Sequence, residues 1–281
     1  PFAHRHCGAR RLPWGWEFKG ATRLNELHNQ LTGNLMIRFR KADVLKDLPP
    51  QRDIVLPVPL SDPDEYAHAC SDFREWFRGW SAKDHASGML ARAERDSQLN
   101  RLKRLIAWLK MDAVEEHVDS LLEENGDKLI LFAIHKKIVA RLHDRYPGSA
   151  VVDGSVTGKR RQMAFRKFLE TKRTRVLIGN IQAAGVGWSG LGVPQTGFVE
   201  FPWTPGELDQ ARGRTHGVGR GKRGIPSTYY YWPAHGTVDE IIVRLLRRKQ
   251  AVLSKTLNGK GRGQELNVFD KLTEVIMREE Q

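Results

Sequence analysis

From residue 127 onward, short apolar runs alternate with helical stretches of ten or more residues, and that alternation leaves few architectures open. Parallel strands need long crossovers, usually helical, so strand-helix-strand repetition reads as an α/β parallel sheet sandwiched by helices. The predicted strands are 129–134, 150–152, 175–178, 197–201 and 228–232. Helices are expected over 137–146, 160–169, from 207 to 214, and from 237 to about 255. The run Leu129-Ile130-Leu131-Phe132-Ala133-Ile134 is apolar at every position rather than at alternate ones, as a strand covered on both faces must be.

The first 126 residues have a different texture. Leu24, Leu27, His28 and Leu31 fall on one helical face, and the spacing predicts a helix over 24–48 that Pro49-Pro50 stops. Residues 53–60 are apolar and β-branched but contain Pro57 and Pro59, which deny ladder donors and favour a sheet edge. Ser61-Asp62-Pro63-Asp64-Glu65 reads as a helix start. Helical spacing then runs from 97 to 122 with a break near Met111-Asp112, and Asn125-Gly126-Asp127 ends it. The expected organisation is a mainly helical protrusion or linker over 1–126 and an α/β lobe over 127–255. A C-terminal hinge and helical brace follow over 256–281, and no internal repeat is visible.

With 46 basic residues against 33 acidic ones the formal charge is +13, which favours an acidic polymer as partner: nucleic acid first, an anionic membrane second. No run of about eighteen apolar residues occurs, so no membrane span is expected. The first residues show no secretory pattern, and a start at Pro1 reads as a piece of a longer product. Cys7 and Cys70 are too few for a disulfide framework, which points to a reducing cytoplasmic or nuclear setting. His4, His6 and Cys7 lack a second ligand group at metal-site spacing, so no metal is assigned to them.

Three glycine-rich stretches need testing as phosphate cradles. Gly154-Ser155-Val156-Thr157-Gly158-Lys159-Arg160 is one residue short between its glycines and lacks the magnesium-binding hydroxyl. Gly259-Lys260-Gly261 lacks it too. Gly185-Val186-Gly187-Trp188-Ser189-Gly190 matches the dinucleotide pattern after a strand, but Gly192 and Pro194 interrupt the helix that should follow. A dinucleotide-binding enzyme is therefore only a minor alternative.

The segment Gln210-Ala211-Arg212-Gly213-Arg214-Thr215-His216 resembles motif six of superfamily-two helicases, Q-x-x-G-R-x-x-R, and its Swi/Snf-type version, Q-A-x-D-R-x-H-R-x-G-Q. Leu129-Ile130-Leu131-Phe132-Ala133 is similar to motif four. Asp153-Gly154-Ser155 with Arg161 and Gln162 is similar to the following D-G-S block, and Ala183-Ala184-Gly185-Val186-Gly187 to motif five. Upstream, Met36-Ile37-Arg38 and Lys41 to Pro49 resemble the family's M-I-R-R-x-K-x-D-V-L-x-x-L-P segment, and Gly236-Thr237-Val238-Asp239-Glu240 its closing block. Family order is kept across nearly the whole chain. Ala133, Ala183-Ala184 and the helix over 99–113 look most like the annealing-helicase (HARP-like) branch.

This resemblance implies a RecA-like second lobe of an ATP-driven DNA translocase or helicase. It makes Arg214 the arginine finger, a guanidinium delivered across an interface to the terminal phosphate, where phosphoryl transfer builds negative charge. Gln210, Gly185, Gly187 and Arg220 are placed at the ATP interface. His135, Ser155, Thr157, Arg161 and Gln182 are placed on nucleic-acid phosphates, a contact that would be blind to sequence and weakened by salt. ATP and Mg2+ are expected mainly on an absent first lobe, because the phosphate loop and D-E-x-H box do not occur here. Asp64-Glu65-Tyr66-Ala67 has the first two letters of that box only. The isolated chain is accordingly expected not to hydrolyse ATP, and its expected partners are duplex DNA and that first lobe.

Departures count as well. Gly217 stands where the family has its second motif-six arginine, so Arg212 or Arg220 substitutes, or the copy is an impaired DNA-binding module. Arg220 itself stands at the family's glutamine, and Phe39 replaces an upstream arginine. Trp14, Trp16, Trp76, Trp80 and Trp108 could stack on bases, but Trp76 and Trp80 at helical spacing read as core.

Overall fold

The computed structural model describes residues 2–12, 15–18, 20–37, 39, 44–81, 89–125, 128–156, 158–181, 191–217, 226–258 and 276. The chain divides into two compact units, one formed by Pro1–Lys46 with Ile241–Gln281 and the other by Asp47–Glu240.

In the first unit a short helix α1 (Phe2–His6) precedes an antiparallel pair, β1 (Arg10–Leu12) and β2 (Gly15–Glu17), and then helix α2 (Leu24–Asn34). Helix α2 is much shorter than the expected 24–48. Gly33 and Asn34, both poor helix formers, sit at its end, and the amides of Leu35 and Met36 close on the Leu31 carbonyl. Beyond it Leu35, Ile37 and Phe39 are exposed, so no apolar stripe is buried that could hold further turns.

The second unit is built on one sheet. Its strands are β3 (Gln51–Val55), β4 (Leu129–Ala133), β5 (Ala150–Val152), β6 (Val176–Asn180), β7 (Gln195–Phe198) and β8 (Ser227–Tyr231). They pair in the order β3-β8-β7-β4-β6-β5, every neighbour parallel. This is the expected α/β parallel sheet, and β3 takes the expected edge position, but it runs over 51–55 rather than 53–60 and stops before Pro57 and Pro59, which cannot donate to a ladder. Its ladder runs from Gln51 against Ser227 to Val55 against Tyr231, so the sheet draws a strand from well before residue 127.

The helices are α3 (Pro63–Ser81), α4 (Met89–Leu109), α5 (Met111–Asn125), α6 (Lys136–Arg145), α7 (Gly158–Glu170), α8 (Pro205–Thr215) and α9 (Val238–Asn258). Asp62 caps α3 by accepting from the Glu65 amide at 2.8 Å. The break between α4 and α5 falls on Lys110, which is buried and donates from Nζ to the Trp232 carbonyl (2.8 Å) and to Asp239 Oδ2 (2.5 Å). Strand β4 lies at the centre with all five residues buried, and Leu129, Leu131 and Ala133 join Val176, Ile178, Val199 and Trp232 in the core. Gly197 of β7 makes room for that tryptophan: a Cβ there would stand 2.4 Å from the Trp232 ring. Among the described residues no helix is long and apolar enough to cross a membrane.

Candidate functional site

In open parallel sheets, ligand-facing groups gather at the carboxyl ends of the strands, and among the described residues His135 and Ser155 follow β4 and β5 at that end. His135 follows β4 and is the N-cap residue of α6. Its imidazole Nδ1 meets Glu200 Oε1, while Glu200 Oε2 accepts from the amides of Ile134 (2.7 Å) and His135 (2.8 Å). Burial of Glu200, 2% exposed, would push its carboxyl up, but these bonds from His135 and Ile134 outweigh it and hold the group below the usual carboxylate range. The carboxylate thus occupies the amino end of α6, and any phosphate contact by His135 falls to Nε2. Asn180, at the end of β6, donates to the Ile134 carbonyl at 2.6 Å and braces the same loop.

After β5 the chain makes a side-chain-closed turn. Asp153 Oδ1 accepts from the Ser155 hydroxyl (2.6 Å) and amide (2.9 Å), and the same hydrogen bonds hold the Asp153 carboxyl below its ordinary value. Ser155 is exposed, and Arg161 bends back so that Nε donates to the Val156 carbonyl at 2.9 Å. The turn ends at Gly158, whose φ of 50° opens α7 from the left-handed region.

Helix α8 carries the motif-six segment. Thr204 caps it in a reciprocal box, donating to Glu207 Oε2 (2.9 Å) and accepting from the Glu207 amide (3.4 Å), with Pro205 in the first turn. The preceding loop is gripped by α4. Lys103 Nζ donates to the Phe201 carbonyl at 2.5 Å and lies 4.0 Å from the Trp203 ring centre, and Trp203 donates to Asn100 Oδ1 at 3.0 Å. At the far end the amides of Leu191 and Gly192 donate to the carbonyls of Arg214 and Thr215, so the chain leaving motif five meets the end of motif six.

On α8 Gln210 is exposed and Arg214 half-buried. Four residues apart, they share one side of the helix, whereas Arg212 lies roughly 200° from Arg214. Arg212 is fastened to the sheet edge: its guanidinium donates to Asp53 (3.0 Å), Gln51 Oε1 (2.7 Å) and the Tyr231 hydroxyl (2.8 Å) and stacks 4.3 Å from the Tyr229 ring centre. These bonds engage the Arg212 guanidinium at the sheet edge.

Thr157, Gln182, Gly185, Gly187 and Arg220 lie outside the described residues. The structure adds Glu200, Lys103, Asp53 and Gln51, none of which the sequence reading singled out. Only Glu200 left a local signal, a lone charge inside the apolar run Phe198-Val199-Glu200-Phe201, which marks a buried, bonded carboxylate. Trp76 is partly buried, and Trp108 is exposed with the Arg141 guanidinium 5.1 Å from its ring centre.

A parallel six-stranded sheet between helices, with motif four in its central strand β4, the D-G-S turn after β5 at one edge and the motif-six helix fastened to β3 at the other, is a RecA-like α/β lobe. Residues 109–219 match the family described as "Helicase conserved C-terminal domain". The chain is 31% identical over 268 residues to the DNA annealing helicase and endonuclease ZRANB3 of Bos taurus, covering 92% of this chain and 24% of that protein. It is 29% identical over 259 residues to the SWI/SNF-related matrix-associated actin-dependent regulator of chromatin subfamily A-like protein 1 of Xenopus tropicalis, covering 90% and 26%. Among solved structures it resembles the Sulfolobus solfataricus SWI2/SNF2 ATPase core in complex with dsDNA, with TM-score 0.61, 18% identity and coverage of 89% and 55%. It also resembles the C-terminal part of the Fun30 ATPase domain, with TM-score 0.59, 15% identity and coverage of 83% and 99%. Residues 109–219 thus carry a helicase conserved C-terminal domain, and over nearly its whole length the chain is similar to Swi/Snf-type relatives. It spans about a quarter of the length of the curated relatives it matches.

Proposed function

We propose that this lobe works in an ATP-driven translocase on duplex DNA, supplying Arg214 as the arginine finger and part of the surface that tracks the DNA. The observation that carries the reading is the division of labour on α8: Arg212 is fastened to the sheet edge, and Gln210 and Arg214 stand together on the other side. ATP and Mg2+ belong mainly to a first lobe. What this chain is assigned to offer a nucleotide is the guanidinium of Arg214 and the amide of Gln210, from the side. The guanidinium would neutralise charge that grows on the phosphate oxygens during transfer. Gly185, Gly187 and Arg220 are assigned to the same interface.

His135, Ser155 and Arg161, with Thr157 and Gln182, are assigned to one DNA strand's phosphates, a contact that salt should weaken steeply. The setting proposed is intracellular and reducing, cytoplasmic or nuclear, in keeping with a sequence that holds only Cys7 and Cys70. The test joins this chain to a first lobe and measures DNA-stimulated ATP hydrolysis. The chain alone should show none, and Arg214→Ala in the two-lobe polypeptide should lower turnover about a thousandfold or more with little loss of DNA affinity. Unchanged turnover removes Arg214 from the mechanism.

A second reading has one specific observation in its favour. Glycine replaces the family's second arginine at 217, and Arg212, the nearer candidate to replace it, is held elsewhere. An impaired motor kept for DNA binding would hold DNA equally well with and without ATP when both lobes are present.

A further inference from the structure

We infer that Arg212 is a positioning residue: its fork fastens the last turn of α8 to edge strand β3 and, relayed through the Gln51 amide, fixes the tautomer of His216 so that the chain leaving the helix is tied to Pro49. This rests on the finger reading of Arg214. The relay follows atom by atom. Arg212 donates to Gln51 Oε1, which leaves the Gln51 nitrogen as the end that faces His216 Nδ1, at 2.8 Å. That nitrogen is a donor only, so Nδ1 must accept, and the ring proton sits on Nε2. Nε2 in turn lies 2.9 Å from the Pro49 carbonyl, an acceptor only, and donates to it. The Pro49 carbonyl and the Gln51 amide call for the same tautomer from the two sides of the ring, and the guanidinium sets the Gln51 end.

The geometry explains why an arginine stands here. One head group reaches Asp53, Gln51 and Tyr231 at once while its face stacks on Tyr229, and a lysine ammonium, lacking the planar fork, cannot satisfy that set. The anchorage also fixes how the last turn of α8 is rotated. Because Gln210 and Arg214 project from the opposite side, a rotation of that turn moves the finger tip, and catalytic groups displaced by an ångström lose on the order of a hundredfold in rate.

Two measurements test the inference. In the ¹⁵N-labelled chain, the His216 ring should show a protonated Nε2 and an unprotonated Nδ1 at neutral pH. The Pro49 carbonyl still favours Nε2–H on its own, so Arg212→Met should weaken that preference and Arg212→Lys should weaken it less. In the two-lobe polypeptide, Arg212→Met should lower kcat by on the order of a hundredfold with KM for ATP little changed, and Arg212→Lys should fall between. If Arg212→Met does not fold, Gln51→Leu, which cuts the relay and spares the Asp53 pair, should still weaken the His216 preference and lower kcat. A tautomer unmoved by these changes overturns the inference. So does a kcat that stays near wild type while Arg214→Ala abolishes turnover. Should Arg214→Ala leave turnover intact, the finger reading fails, and the tautomer measurement alone decides the relay.

Discussion

Replacing Lys103 by methionine should change how stability depends on pH. The amine is 3% exposed, and burial drives its pKa from 10.5 down to about 8 against the favourable charges of Asp239 and Glu200. A lysine whose folded value lies below its unfolded one is protonated more readily in the unfolded chain. The charged amine therefore costs stability, in full below pH 8, and the cost fades as pH rises towards 10.5. At about 1.4 kcal/mol for each pH unit the full penalty is roughly 3 kcal/mol, of which about 2 kcal/mol should disappear between about pH 7 and 9.5. Methionine removes the titration but leaves the Phe201 carbonyl without its donor, a loss of about 1–3 kcal/mol at every pH. Near neutrality the two effects nearly offset.

Burial also raises the phenols of Tyr146, Tyr229, Tyr230 and Tyr231, and their sign is opposite: the unfolded chain loses those protons first, so stability falls above about pH 10. Both proteins share that fall, and it cancels in the difference between them. Urea unfolding at closely spaced pH values, followed by far-ultraviolet circular dichroism, gives the required curves. Wild type should gain on Lys103→Met by about 2 kcal/mol from about pH 7 to 9.5. Parallel curves over that range would refute the claim that Lys103 is charged and desolvated in the fold.

Three further outcomes follow from the same packing. Glu200→Gln should weaken the amino end of α6, speeding amide exchange at Ile134 and His135, and should remove a stabilisation that wild type loses as pH falls through the depressed value of this carboxyl. Equal acid sensitivity in both proteins would count against the ionised cap. Gly197→Ala should cost about 1–3 kcal/mol in denaturant unfolding, because the new Cβ meets the Trp232 ring at 2.4 Å and both are enclosed. Asp239→Ala should cost about 3–5 kcal/mol by stranding the buried Lys110 ammonium, while adding Lys110→Met should recover much of the loss; additive losses would mean that the two groups are not coupled.

Local pattern was enough for much of this fold. The strand runs and the helix start at Ser61-Asp62-Pro63 each depend on residues a few places apart, and each appears in the structure. Helix α2 failed for the complementary reason: its periodicity continues past Asn34, but no partner surface buries it. The family order put Gln210 and Arg214 on a helix and His135 and Ser155 just after strands, and those are their places in the fold. The partners of Arg212 were not, because Asp53 and Gln51 lie 159 and 161 positions away, and nothing in an arginine's neighbours announces a carboxylate at that distance. Lys103 and Lys110 were hidden too, since lysines on a helix read as solvent-facing until the loop that receives them is placed.

Strand β3 stands far from β8 in the sequence, yet among the described residues β8 is its one ladder partner. Until the two meet, β8 offers an open ladder edge bearing Tyr229, Tyr230 and Tyr231, and aromatic strands of that kind readily accept a neighbour from another molecule. Removing residues through Val55 would make the exposure permanent. A lobe trimmed in that way should self-associate through β8, so that the amino-terminal segment acts as a built-in guard against aggregation as well as a route into the sheet.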